Sequence, residues 1–84
     1  MNDNKCSLLL VDDEAFVLSA LTGLLANDFE VLTALSAEAA RQLLLARPID
    51  LILADQKMPG QTGVELLEWV REHSPRTHGC VLCL

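Results

Sequence analysis

Three aspartates carry the chemical interest of this 84-residue sequence. Asp12 and Asp13 follow the apolar run Ser7-Leu8-Leu9-Leu10-Val11, and Asp55 follows Ile49-Asp50-Leu51-Ile52-Leu53-Ala54. Two runs suited to buried strands thus end in acid, and in an open sheet chemistry collects at the carboxyl ends of the strands. Carboxylates gathered there repel one another unless a cation sits among them or a proton neutralises one. Magnesium is the expected occupant, because it takes oxygen ligands, needs only one or two carboxylates, and keeps positions for water and phosphate oxygens. It would also neutralise a transferring phosphoryl group while one carboxylate attacks phosphorus. Taken singly these features are ordinary, since an acidic pair after a strand also suits the electrostatics of a first helical turn. Their joint spacing sets them apart.

The elements that must position these acids alternate along the chain. After the first strand, residues 7–11, the positions Val17, Leu21, Leu24 and Leu25, with Phe16 and Ala20 beside them, recur at helical spacing from Glu14 to Ala26. Phe29 to Thr33 is short and β-prone. Ser36 offers an N-cap for a helix with Ala40, Leu43 and Leu44 inward, and Pro48 ends it. Residues 49–54 make the third strand. Met58-Pro59-Gly60-Gln61 reads as a loop, and Thr62 with Glu65 has the spacing of a capping box for a helix whose core stripe is Leu66, Leu67 and Val70. Ser74-Pro75 closes that helix, and the run from Cys80 to Leu84 looks like a further buried strand. Short connections between alternating strands and helices call for one α/β domain, a parallel sheet with helices on both faces.

Composition limits the partners. The formal charge is −6, which leaves no basic stripe for nucleic acid, and no apolar run reaches membrane-spanning length. The expected setting is the cytoplasm. With 51% hydrophobic but 4% aromatic residues, the core must be aliphatic and small. Cys80 and Cys83 stand in a Cys-x-x-Cys spacing, with His78 close by. A metal or redox pair is one reading; two small apolar residues in a buried strand is the other, favoured because strand alternation sends positions three apart to opposite faces. His73 and His78 read as surface residues, and Trp69 as either a core residue or a partner-facing one.

Taken in order, Leu8-Leu9-Leu10-Val11-Asp12-Asp13-Glu14, Asp50-Leu51-Ile52-Leu53-Ala54-Asp55-Gln56-Lys57-Met58-Pro59-Gly60 and Gly63-Val64-Glu65-Leu66-Leu67 resemble the receiver (phosphoacceptor) domain of two-component response regulators. The resemblance implies that Asp55 takes a phosphoryl group from the phosphohistidine of a histidine kinase. It implies that Asp13 and Asp55 bind Mg2+ directly, that the main-chain carbonyl of Lys57 adds a ligand, and that Asp12 acts mainly through water. Met58-Pro59 would shape the loop, and Gly60 and Gly63 would allow tight turns. The implied fold is flavodoxin-like, with strand order 2-1-3-4-5 in the family.

This chain offers about four strands and three helices of the family's five and five, so the expectation over residues 1–84 is a receiver domain truncated at its C-terminus. The Thr or Ser after the family's fourth strand and the Lys after its fifth have no counterpart here. Weakened phosphorylation and self-association as a homo-oligomer through an exposed edge strand are then expected. An aspartate-nucleophile Mg2+ phosphohydrolase is the enzymatic alternative. It would want an acid two residues after the nucleophile, where Lys57 stands, so the preferred reading is a signalling phosphoacceptor and not an enzyme.

Overall fold

The computed structural model describes residues 5–82. Its elements are β1 (Cys6–Val11), α1 (Ala15–Leu25), β2 (Phe29–Ala34), α2 (Ala37–Ala46), β3 (Leu51–Asp55), α3 (Gly63–His73) and β4 (His78–Leu82). All pairings are parallel, and the four strands lie in the order β2-β1-β3-β4. This is the expected flavodoxin-like α/β arrangement, with four strands in one sheet.

The pattern of β1 follows from its central place. It pairs with β2 and with β3, and Leu8 to Val11 are all buried, as a strand covered on both faces requires. Alternation then divides the core. Leu9, Val11, Ile52 and Ala54 pack with Ala37, Ala40 and Leu44 of α2 and with Leu66 and Val70 of α3. Leu8 and Leu10 turn the other way onto Leu18 of α1. Leu9 and Leu66 are completely buried, and each such leucine contributes roughly 1.5–3 kcal/mol over an exposed one.

Both helix caps read from the sequence are present. Ser36 Oγ accepts the Ala39 N–H at 3.1 Å, and Thr62 and Glu65 close a reciprocal capping box. Arg47, ahead of Pro48, turns to extended backbone and stops α2, as the ring of a following proline demands.

Two expectations need correction. In α1 the buried residue is Leu18, while Leu24 and Phe16 are 74% and 81% exposed. The first helix is apolar on nearly every side, so spacing could not choose its inner face; the position of α1 over β1 and β2 chose it. The last strand begins at His78, two residues earlier than expected, and Cys80 is exposed rather than buried. Cys80 pairs beside Leu53, whose side of the sheet carries α1, and α1 packs toward β2 at the opposite edge. Cys83 lies outside the described residues, as does the end of the expected run. Trp69 packs partly against the core and stacks on His73, with ring centroids 4.4 Å apart.

Candidate functional site

Register builds the site. Val11 of β1 stands opposite Ala54 of β3, so the residues that follow, Asp12 and Asp55, emerge side by side at the strand tips. Asp13 comes next in the chain. One carboxylate oxygen from each of Asp12, Asp13 and Asp55 lies within 4.8 Å of the other two. All three aspartates singled out from the sequence are therefore brought together.

Their environments differ. Asp12 is 7% exposed, Asp55 is half-buried and Asp13 is exposed. The Asp12 N–H donates to the Ala34 carbonyl at 3.1 Å, and its Oδ1 accepts the Glu14 N–H at 2.9 Å, which ties the acid to the entry of α1. Burial pushes the Asp12 carboxyl above its ordinary value, and the neighbouring charges of Asp55 and Asp13 push the same way, against the stabilising Glu14 N–H. The cup favours positive charge.

The segment after Asp55 is held by three devices. Met58 is 8% exposed and sinks into the α2–α3 core, anchoring the loop beneath its surface. Gly60 has φ +86°, a conformation that side chains resist, so a glycine is required there. Gly63 is required for a different reason: a Cβ on it would come within 2.7 Å of the Asp55 carbonyl oxygen. Lys57 is exposed, and its N–H approaches Asp55 Oδ1 only at 3.4 Å.

Two contacts carry no signature in the sequence. Gln56 binds the start of α3 with both its main-chain and side-chain oxygens, and Arg41 of α2 bonds Gln61 in the loop. Neither follows a periodic pattern. Both are polar reaches across 8 and 20 residues that only the folded geometry reveals.

Known proteins share this architecture and these motifs. A model of the response regulator receiver domain matches residues 8–83. The hydrogenase transcriptional regulatory protein HoxA of Cupriavidus necator is 51% identical over 75 residues, which are 89% of this chain and 16% of that protein. The chain thus spans about a sixth of the length of that relative. Among solved structures, a CheY-like receiver domain protein of Methanospirillum hungatei superposes with a TM-score of 0.89 at 26% identity, covering 95% of this chain and 65% of that one. The response regulator TrrA of Thermotoga maritima, solved in complex with Mg2+ and BeF, gives 0.84 at 28% identity, over 93% and 69% of the two chains. Fold, acidic strand tips and family match agree, and the chain belongs to the receiver domain family of two-component response regulators.

Proposed function

We propose that Asp55 accepts a phosphoryl group from a histidine kinase, with Mg2+ held among Asp12, Asp13, Asp55 and the main-chain carbonyl of Lys57. The observation that carries this reading is the convergence of three carboxylate oxygens within 4.8 Å at adjoining strand tips. The donor set fits the ion: it is oxygen only, it is anionic, and the raised pKa of Asp12 marks a place where a cation would relieve both burial and repulsion. When bound, the ion would neutralise charge on the transferring group and on the acids around it.

The chain's own residues divide the remaining work. A carboxylate oxygen of Asp55 forms the new bond to phosphorus, the bond from phosphorus to the kinase imidazole nitrogen breaks, and that nitrogen leaves with the electron pair and takes a proton. Asp12 is fixed by the Glu14 N–H, so its carboxylate needs little ordering when a ligand arrives. The exposed Asp13 stands nearest to solvent. Asp55, half-buried, leaves an approach for a donor histidine.

A kinase donor places this reaction in the cytoplasm, and among the described residues no helix is long and apolar enough to cross a membrane. The HoxA relative supports a transcriptional regulator as the context of the domain. Hydrolysis of phosphate esters is the weaker reading, because exposed Lys57 stands where that chemistry wants a second acid.

Incubation with a small acyl phosphate followed by intact-mass measurement tests the assignment. The wild-type chain should gain one phosphoryl group in the presence of Mg2+, and Asp55→Ala should gain none. Equal uptake by both would remove Asp55 from its role. Self-association through β4 belongs to the same proposal: the strand has β3 as its neighbour among the described residues, and Gly79 and Cys80 on it are exposed. Sedimentation of the 84-residue chain should show a dimer or larger species at high concentration, and a persistent monomer would refute it.

A further inference from the structure

Every helix begins with N–H groups that have no partner inside it, and in α3 each of the first three has an acceptor. The Gly63 N–H donates to the Gln56 carbonyl at 3.2 Å. The Val64 N–H donates to Oε1 of the same Gln56 at 3.0 Å. The Glu65 N–H donates to Thr62 Oγ1 at 3.1 Å. Thr62 acts locally, as the cap of its own helix. Gln56 instead reaches across the whole loop, and it stands between Asp55 and Lys57.

Among the described residues, the Asp55 carboxylate has only the long 3.4 Å approach of the Lys57 N–H to orient it. Its direction is therefore set by the backbone around it. That backbone lies close against Gly63, and the Gln56 side chain fastens it to the next residue of α3, Val64.

We propose that Gln56 is a positioning residue: its side-chain carbonyl latches the start of α3 to the tip of β3, and so keeps the Asp55 carboxylate beside those of Asp12 and Asp13. The assignment rests on the phosphoacceptor reading above. The latch is exposed, so water can replace its hydrogen bond with little loss of stability. Water cannot replace the side-chain tie between helix and strand tip, which leaves the Gly63 N–H to Gln56 carbonyl bond to hold the two together. Losing the latch should cost the site more than the fold.

Three variants separate these effects. Gln56→Met is close in size but replaces the carbonyl oxygen with a thioether, at most a weak acceptor. Gln56→Glu keeps an acceptor at the same reach, and a negative charge is tolerated at a helix N-terminus. Thr62→Ala removes the other side-chain cap of the same turn without touching the link to Asp55.

In the metal-free chain, amide hydrogen exchange at Val64 should quicken about three- to fivefold in Gln56→Met, the scale of one neutral hydrogen bond, and stay near wild type in Gln56→Glu. Titration calorimetry with Mg2+ should show Kd rising by about the same factor in Gln56→Met. In Thr62→Ala, Kd should hold while the melting temperature falls. Unchanged Mg2+ binding in Gln56→Met, or equal weakening in Gln56→Met and Thr62→Ala, overturns the proposal. Should Asp55→Ala bind Mg2+ as the wild type does, the phosphoacceptor reading fails first and this proposal falls with it.

Discussion

The two ends of the sheet treat aspartate in opposite ways. At the amino end, Asp50 Oδ2 accepts the Ser7 N–H at 2.9 Å and the Ser7 hydroxyl at 3.1 Å, while the Asp50 N–H donates back to Ser7 Oγ at 2.9 Å. Thr77 Oγ1 closes the neighbouring gap by donating to the Ile49 carbonyl at 2.7 Å. At the carboxyl end, Asp12 faces two further carboxylates and one stabilising N–H. The backbone and side-chain donors of Ser7 hold Asp50 below its ordinary pKa, whereas burial and like charges raise Asp12 above it. A carboxylate surrounded by donors is structural cement; one surrounded by its own kind is available to a ligand.

Substitutions can break that contrast. The largest effect on the fold is expected from Gly63→Ala, because the added Cβ meets the Asp55 backbone and not a flexible side chain. The chain should lose about 1–3 kcal/mol in urea unfolding, and Asp55 should be displaced from its neighbours. An unchanged midpoint would show that the strand tip yields more easily than the close approach suggests.

Asp12→Asn sharpens the contrast at the acidic end, since it removes charge while keeping an oxygen for the Glu14 N–H. The metal-free variant should melt at a higher temperature than the wild type, and Mg2+ affinity should fall by about tenfold or more. Melting curves with and without Mg2+ should therefore reverse the order of the two proteins. The pH dependence has a defined sign. The Asp12 pKa is raised in the fold, so the metal-free chain should gain stability as pH falls through that raised value toward the ordinary carboxylate value, and Asp12→Asn should abolish the gain.

The smallest effect belongs to Asp50, with the opposite sign. Its depressed pKa contributes stability that is complete above the ordinary value of 3.8 and is lost as pH falls through the lower folded value. Asp50→Asn should flatten the acid limb of the urea midpoint against pH. An unaltered limb would mean that the Ser7 pair is matched by an equal one in the unfolded chain.

Some of this is legible in the sequence alone. The alternation of strands and helices, the caps at Ser36 and Thr62, and the placing of Asp12, Asp13 and Asp55 at strand ends all follow from short-range pattern, because caps and periodicity are read within a few residues. The inner face of α1 was not, since Leu18, Leu21, Leu24 and Leu25 are all apolar and only packing on the sheet distinguishes them. The start of β4 at His78 was hidden for a similar reason: pairing with Leu51 makes His78 and Gly79 strand residues against their own propensities.

By itself the sequence determined which elements form, and that two of them end in acid, because those are properties of neighbouring residues. Tertiary structure decided the register that sets Val11 against Ala54 and so lays Asp12 beside Asp55. It also decided the reach of Gln56 to Val64 and the exposure of Cys80. Each of these depends on which strand lies next to which and on what covers its face, and such non-local pairings leave no mark within a short window of sequence.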